Sequence, residues 1–96
     1  SLTGFSKESF LGKYSKLRMK ILTGSADADI TFSELCQLLI RLGFTERIKG
    51  SHHIFTREDI EEILNLQPKN SKAKPYQVKQ VRILLTRYRM GEYDID

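Results

Sequence analysis

The chain contains 96 residues, of which 40% are hydrophobic and 29% are charged, and it carries a formal net charge of +4. These values predict one soluble globular domain with a modest core, and they argue against a second domain. No apolar run reaches the roughly 20 residues that span a bilayer, and the first residues lack the apolar core of a signal peptide. We therefore expect a cytoplasmic protein without a membrane partner.

The charges are distributed unevenly along the chain. Residues 63–91 include no acidic residue, and the basic residues of this stretch are numerous: Lys69, Lys72, Lys74, Lys79, Arg82, Arg87 and Arg89. A positive face of this kind suits a polyanion, and nucleic acid is the first candidate. A solvated basic helix that keeps the protein soluble or docks on an acidic partner explains the charges equally well.

Two helices are predicted in the first part of the chain. The first covers 6–23, although Gly12 weakens it, because apolar residues recur there with the spacing of one helix face: Phe10, Tyr14, Leu17 and Ile21. After a polar loop, Thr31 and Glu34 have the spacing of a capping box, in which each side chain bonds the backbone N–H of the other residue. This signature predicts a second helix that ends at Gly43. Its buried face is predicted to consist of leucines: Leu35, Leu38, Leu39 and Leu42.

Three short segments then have the character of strands: 44–49, 52–56 and 62–66. A Gly-Ser pair and the polar residues 57–59 separate them, so an antiparallel meander is predicted. Residues 59–64 could also begin a short helix, and the sequence leaves both interpretations open. Pro68 closes the third predicted strand, and a polar linker over 69–74 follows it.

A final amphipathic helix is predicted to begin at Pro75, because proline is favoured at the first helical position. Its apolar face contains these residues: Val78, Val81, Leu85 and Tyr88. Its opposite face is basic: Lys79, Arg82 and Arg89. A helix, three strands and a helix follow one another in the double-stranded-RNA-binding fold. The predicted class is therefore α+β, a double-stranded-RNA-binding-like α-β-β-β-α fold with an additional N-terminal helix.

Four short motifs stand in this order along the chain: Leu42-Gly43-Phe44, Lys49-Gly50-Ser51-His52-His53-Ile54-Phe55, Leu66-Gln67-Pro68 and Lys74-Pro75-Tyr76-Gln77-Val78. Their order and spacing resemble those of the HicA family of bacterial toxins over about residues 31–89. The most specific part is the helix with Gly-Phe, followed by Gly-Ser-His entering an apolar strand. The resemblance divides the chain into an N-terminal helical extension (1–30), a HicA-like domain (31–91) and an acidic tail (92–96).

The N-terminal extension is where the chain departs from this family, whose typical member begins near the capping-box helix. The apolar stripe of the extension would enlarge a core that about 60 residues leave marginal. Alternatively, the extension would bind the antitoxin or a second copy of the chain. The sequence leaves these roles open.

The resemblance implies the toxin of a type II toxin-antitoxin pair, an endoribonuclease that cleaves mRNA without a metal and is held inactive by a HicB-like antitoxin. In this family the functional histidine directly follows the Gly-Ser pair, which favours His52. Some relatives keep it one position later, which would point to His53. Only one of these histidines can share the strand face of Phe55, because successive side chains of a strand point to opposite faces.

Cleavage of RNA without a metal needs a base that takes the 2′-hydroxyl proton and donors that hold the phosphate. Imidazole suits the first role at neutral pH. Contacts to RNA and its phosphates are predicted for the following residues: Lys49, Gly50, Ser51, Lys74, Tyr76, Lys79 and Arg82. The proton for the 5′-oxygen leaving group could come from His53, Tyr76, a lysine or water.

No metal or cofactor is predicted. Adjacent histidines that point to opposite faces of a strand do not easily ligate one ion, so a zinc site is not expected at His52 and His53. Cys36, the only cysteine, cannot form an internal disulfide. Because Cys36 lies among leucines in a helical pattern, we interpret it as a small buried apolar residue.

Two other functions are compatible with the same residues. The first is a noncatalytic RNA-binding module of the same fold, in which the histidines are contacts; its RNA affinity would depend on salt, without cleavage at any pH. The second is a pure interaction domain, which would bind a protein partner and ignore RNA.

Overall fold

The structure is a computed structural model that describes residues 12–93 and 95–96 of the chain. Its helices and strands follow one another in this order: α1 (Lys13–Thr23), α2 (Phe32–Arg41), β1 (Thr45–Lys49), β2 (His52–Arg57), β3 (Ile60–Leu66), β4 (Pro68–Lys69), β5 (Lys72–Ala73) and α3 (Pro75–Arg87). A 3-10 turn, Asp27–Asp29, lies between α1 and α2. The order confirms the predicted α+β class, with a double-stranded-RNA-binding-like arrangement preceded by a helix.

The N-terminal helix α1 belongs to the domain core. The part of the predicted helix that precedes Gly12, including Phe10, lies outside the described residues. From Lys13 onward, Leu17 and Ile21 are buried in the same hydrophobic cluster as the apolar residues of α2, α3 and the sheet. Burial of these two side chains therefore enlarges the core that the sheet and the other helices share.

The acidic tail returns to the start of α1. The carboxylate of Asp96 accepts hydrogen bonds from the backbone N–H groups of Gly12, Tyr14 and Ser15, at 3.0, 2.7 and 3.3 Å. It thereby satisfies N–H groups that a helix start leaves without partners in the helix. The Ser15 hydroxyl also donates to this carboxylate, and together these bonds hold the pKa of Asp96 below its usual value. The neighbouring Ile95 is buried, so this end of the described chain packs on the domain.

Helix α2 begins with the predicted capping box. The Glu34 N–H donates to the Thr31 hydroxyl at 3.1 Å, and the Thr31 N–H donates to the Glu34 carboxylate at 2.7 Å. The helix ends just before Gly43, whose φ of 96° is accessible to glycine at little cost. The predicted leucine face is buried, as expected: Leu35, Leu38, Leu39 and Leu42.

The main sheet is antiparallel, with the strand order β1-β2-β3. Lys49 of β1 stands opposite His52 of β2 across the turn that joins them. Strand β3 begins at Ile60, so the alternative interpretation of 59–64 as a helix start is wrong. Leu64 and Leu66 are buried while Ile63 and Asn65 are exposed, and this period of two fits a strand rather than a helix.

A second, two-stranded sheet replaces the predicted linker over 69–74. Strands β4 and β5 pair as a hairpin, so Pro68 begins β4 instead of closing β3. Asn70 and Ser71 form its turn with φ values of 52° and 68°. Asparagine adopts this left-handed conformation more readily than most residues. The hairpin is tied to α2, because the Phe32 N–H donates to the Ser71 carbonyl at 2.9 Å.

Helix α3 begins at Pro75 as predicted, and its inner face includes the buried Val78. Two predictions at its end are wrong. Tyr88 is 39% exposed, and its hydroxyl donates to Glu62 at 2.6 Å instead of joining the core. Arg89 lies beyond the helix, with a φ of 52°. Within the described ranges, neither α3 nor another helix has the length and apolar character needed to cross a membrane.

The two faces of the main sheet have different environments. On one face, Phe55, Leu64 and Leu66 are buried in the cluster that includes the inner faces of the helices. On the other face, His52 and Asn65 are exposed. The sheet thus leaves one face open to a large ligand, while the opposite face closes the core.

Candidate active site

The two adjacent histidines lie on opposite faces of β2. His53 shares the core-facing side with the fully buried Phe55, and His52 shares the open side with Ile54, as the alternation of a strand requires. The prediction that only one histidine shares the face of Phe55 is thereby confirmed. The two imidazoles therefore have different neighbours, although they are consecutive in the sequence.

His52 is held by polar side chains of β3 and of the residue that follows β3. Its Nδ1–H donates to Oδ1 of Asn65 at 2.9 Å, and the amide of Gln67 donates to its Nε2 at 3.3 Å. The same amide donates to the hydroxyl of Ser51 at 2.9 Å. An amide –NH₂ has two hydrogens, so both bonds of Gln67 can exist at once.

The turn before His52 brings two predicted phosphate contacts to the same end of the sheet. Lys49 is directly opposite His52 in the β1–β2 ladder, so their side chains share the open face. Arg47 pairs with Ile54 and lies on this face too. Gly50 has a φ of 63°, and no atom lies within 4 Å of the position a Cβ would take. The turn conformation, and not a close contact, therefore explains this glycine.

His53 occupies a cleft between β2 and α2. Its Nδ1 lies 2.7 Å from a carboxylate oxygen of Glu46, and both side chains are largely buried, with exposed fractions of 22% and 24%. Its ring meets the edge of Phe32 at a centroid distance of 4.8 Å. The cleft has a volume of about 450 Å³, and Cys36 also lines it.

Cys36 is only partly buried. Burial, together with the nearby carboxylate of Glu46, raises the pKa of Cys36 to about 12. The free thiol is therefore protonated at neutral pH and is a poor nucleophile. The prediction that Cys36 is a small buried apolar residue is therefore wrong as to burial, because Cys36 lies at the edge of the core and lines a cleft with polar side chains.

The other predicted contact residues lie on or before α3. Lys74 is the residue immediately before α3, and Tyr76 in its first turn is 54% exposed. Lys79 is exposed further along the helix. Among the hydrogen bonds and ion pairs of residues 12–93, none joins these three side chains to either histidine.

Arg82 has a different environment from the one its sequence position suggests. Its guanidinium forms two hydrogen bonds with the carboxylate of Asp27, at 2.9 and 3.0 Å, and a third with the carbonyl of Ile21 at 2.9 Å. The bond from Arg82 holds the pKa of Asp27 below its usual value. Arg82 thus fastens α3 to α1 and to the 3-10 turn, and its charge is already paired.

Asn65, Gln67 and Glu46 contact the histidines but were not predicted as site residues, although Gln67 stands in one of the family motifs. A register for the sheet could have found them, because strand pairing brings Asn65 and Gln67 beside His52. The predicted meander gave no register. Arg47 could have been found in the same way, since it shares the open face with Lys49.

The fold and this group of polar side chains define a small α+β protein of the double-stranded-RNA-binding type with a histidine on its open sheet face. A model of the HicA toxin family, described as the HicA toxin of bacterial toxin-antitoxin systems, matches residues 32–86, more than half of the chain. The chain therefore belongs to the HicA toxin family, which implies a toxin that pairs with an antitoxin. Comparison with curated proteins and with solved structures gave no match.

Proposed function

We propose that this toxin is an endoribonuclease that cleaves mRNA without a metal, with His52 as the general base, and that a HicB-like antitoxin inhibits it. Membership of the HicA family supports the toxin role. The observation that carries the catalytic assignment is the hydrogen bond from His52 Nδ1–H to Asn65 at 2.9 Å. This bond selects one tautomer of the ring.

A neutral imidazole carries its proton on one nitrogen, and the other nitrogen is the base. Because Asn65 accepts the proton of Nδ1, the lone pair of His52 lies on Nε2. The bond from Gln67 to Nε2 requires the same assignment, since an amide –NH₂ can only donate. The two bonds therefore agree that Nε2 is the nitrogen able to take a proton from RNA.

In the proposed reaction the amide of Gln67 leaves Nε2 of His52, which then removes the proton of a 2′-hydroxyl, whose oxygen attacks the adjacent phosphorus. The bond from phosphorus to the 5′-oxygen then breaks, and negative charge grows on the phosphate oxygens. The Gln67 amide bonds the Ser51 hydroxyl beside His52. Both groups can therefore reorient and donate hydrogen bonds to the charged phosphate oxygens. Lys49, opposite His52 in the ladder, adds a positive charge on the same face. His53 points to the other face, so we propose that water or a lysine of the open face supplies the proton for the 5′-oxygen.

The RNA chain would cross the open face of the sheet. Arg47 and Lys49 of β1 are exposed on this face and would contact phosphates. Lys74, Tyr76 and Lys79 extend the proposed path toward α3, where an exposed tyrosine can stack on an unpaired base. We leave Arg82 out of this path, because Asp27 already neutralises it.

A cleavage assay in EDTA tests this function. The purified protein is incubated with a long single-stranded RNA beside His52→Ala, with RNA binding measured for both proteins and folding checked by circular dichroism. We expect wild type to cut the RNA and His52→Ala to bind it without cutting. If folded wild type binds the RNA and leaves it intact, the catalytic assignment is wrong and the protein is a noncatalytic RNA-binding module.

A further inference from the structure

Cys36, Glu46 and His53 form a cluster that the proposed cleavage does not use. They come from α2, β1 and β2, so three separate elements converge on one point. One ligand atom from each residue, a sulfur, an oxygen and a nitrogen, lies within 4.8 Å of the other two. All three residues are partly buried, and they line the cleft of about 450 Å³ beside α2.

The donor set is of the kind that zinc prefers. Zinc binds cysteine sulfur, histidine nitrogen and glutamate oxygen at about 2.0–2.3 Å, and three protein ligands with an open fourth position are a common arrangement. Tetrahedral ligand atoms at these lengths stand about 3.3–3.8 Å apart. The contact of 2.7 Å between His53 and Glu46 would have to open slightly, and all three ligand atoms already lie within 4.8 Å of one another. Side-chain rotations of this size leave the backbone in place.

Electrostatics in the cleft favour a divalent cation. The carboxylate of Glu46 lines the cleft beside Cys36 and supplies a negative charge for the cation. A bound Zn²⁺ would balance one thiolate and one carboxylate, which leaves the site neutral. On binding, the S–H bond of Cys36 gives its proton to solvent and a Zn–S bond forms, without any change of oxidation state.

The cleft leaves room for a fourth ligand on the solvent side. Beyond the three donors, the walls are formed mostly by side chains that do not bind metals: Phe32, Ser33, Gln37, Ile40, Pro68 and Ser71. Phe32 packs edge-on against the imidazole of His53 and restricts its orientation. Water can therefore reach the metal from the open side of the cleft.

We propose that Cys36, Glu46 and His53 bind one zinc ion, whose fourth position faces the cleft. The ion would link α2 to β1 and β2 on the face of the sheet opposite His52. It takes no part in RNA cleavage, so the metal-independent reaction proposed above and this site are separate properties of the protein. The sequence pointed away from such a site, because Cys36 had been interpreted as an apolar core residue.

Zinc binding to the tag-free, chelator-treated protein tests the proposal, with a chromogenic chelator as competitor. We expect one equivalent to bind to wild type, and we expect Cys36→Ser and His53→Ala each to weaken binding at least tenfold. His52→Ala is the matched control, since it removes the neighbouring imidazole on the other face, and it should bind zinc as wild type does. Failure of wild type to bind, or equal binding by Cys36→Ser, would overturn the proposal.

Cobalt substitution tests the ligands without a variant that could misfold. Co²⁺ bound to wild type should give the intense charge-transfer absorption of a cobalt–thiolate bond, because Cys36 supplies the sulfur. Bound cobalt without this absorption would overturn the proposed site. The result is independent of the ribonuclease assay: a protein that binds zinc but does not cut RNA supports this site and rejects only the catalytic role of His52.

Discussion

The open face of β2 and its core-facing side give two identical side chains different chemistry. On the open face, His52 is exposed and its partners are the neutral amides of Asn65 and Gln67. On the core-facing side, His53 is largely buried against Glu46 and Phe32. The neighbours set by strand alternation and register, rather than the residue type, determine which imidazole is exposed on the open face.

The partners of the two rings differ in charge as well as in position. An amide oxygen orients an imidazole and selects its tautomer without adding a negative charge. A carboxylate does the same and also favours the protonated ring or a bound cation. Asn65 therefore suits a base that must be neutral before it reacts, whereas Glu46 suits a histidine that binds a cation.

The largest expected effect is the difference in toxicity between His52→Ala and His53→Ala in living cells. Expression of wild type without its antitoxin should arrest growth, and His52→Ala should lose this toxicity because its cleavage rate falls at least about 100-fold. His53→Ala should remain toxic, since its side chain does not reach the open face. Colony counts after induction, with protein levels compared by immunoblot, measure both. A harmless His53→Ala beside a toxic His52→Ala would reverse our assignment.

Substitution of Asn65 tests the hydrogen bond that selects the tautomer. Asn65→Leu should lower kcat about 10- to 100-fold with little change in KM, because the ring loses its orienting acceptor. Asn65→Asp restores an acceptor and should recover most of the rate. Its carboxylate also stabilises the protonated ring, so the pH at which cleavage begins should move upward. Equal rates for wild type and Asn65→Leu would show that Asn65 has no positioning role.

Arg82 is expected to stabilise the fold rather than to contact RNA. The sequence grouped it with the RNA contacts, whereas the structure pairs it with Asp27. Arg82→Gln should lower the free energy of unfolding by about 1–2 kcal/mol, since the ion pair is partly buried and has several hydrogen bonds. Lys79→Gln, on the same helix but exposed, is the control and should change stability by less than about 0.5 kcal/mol. Urea unfolding measures both. A larger loss for Lys79→Gln would contradict the assigned roles.

The same ion pair predicts a dependence of stability on pH. Its stabilisation is present above the unfolded pKa of an aspartate, about 3.9. Because Arg82 lowers the pKa of Asp27 in the folded protein, this contribution is lost as the pH falls through that lowered value. Acidification should therefore destabilise wild type more than Arg82→Gln. Parallel losses in the two proteins would show that the pair contributes nothing.

The smallest expected effect concerns the charge of the open face. Lys49→Gln should weaken RNA binding about threefold, because one phosphate contact is lost. The slope of log affinity against log salt concentration should become shallower by about one. Lys16→Gln, an exposed substitution on α1, is the control and should change neither quantity. Fluorescence anisotropy at several salt concentrations provides both measurements. An equal effect of the two substitutions would indicate binding by net charge alone.

The local signals of the fold were predictable from the sequence. The spacing of Thr31 and Glu34 predicted the start of α2, and Pro75 predicted the start of α3. The β4–β5 hairpin was missed, because Asn70 and Ser71 have positive φ values without a glycine and their polar neighbours resemble a linker. A turn whose positive φ values are marked by one asparagine is difficult to predict from a single sequence.

The candidate site was predictable only in part. The motif around Ser51 and His52 indicated the open-face histidine, but Asn65 becomes its neighbour only through the register of β2 and β3. Cys36 and His53 are brought together by the packing of α2 on the sheet, which periodicity does not reveal. Local patterns thus indicate the histidines, and tertiary contacts decide what surrounds each one.

The protonation of the two rings is the most direct test of the claim that their neighbours define their roles. Long-range proton–nitrogen NMR correlation of the folded wild-type protein at neutral to slightly alkaline pH reports which ring nitrogen carries the proton. We predict that His52 is protonated on Nδ1 and not on Nε2, and that Asn65→Leu loses this preference. A proton on Nε2 of His52 in wild type would contradict the assignment, because that nitrogen would then have no lone pair with which to act as the base.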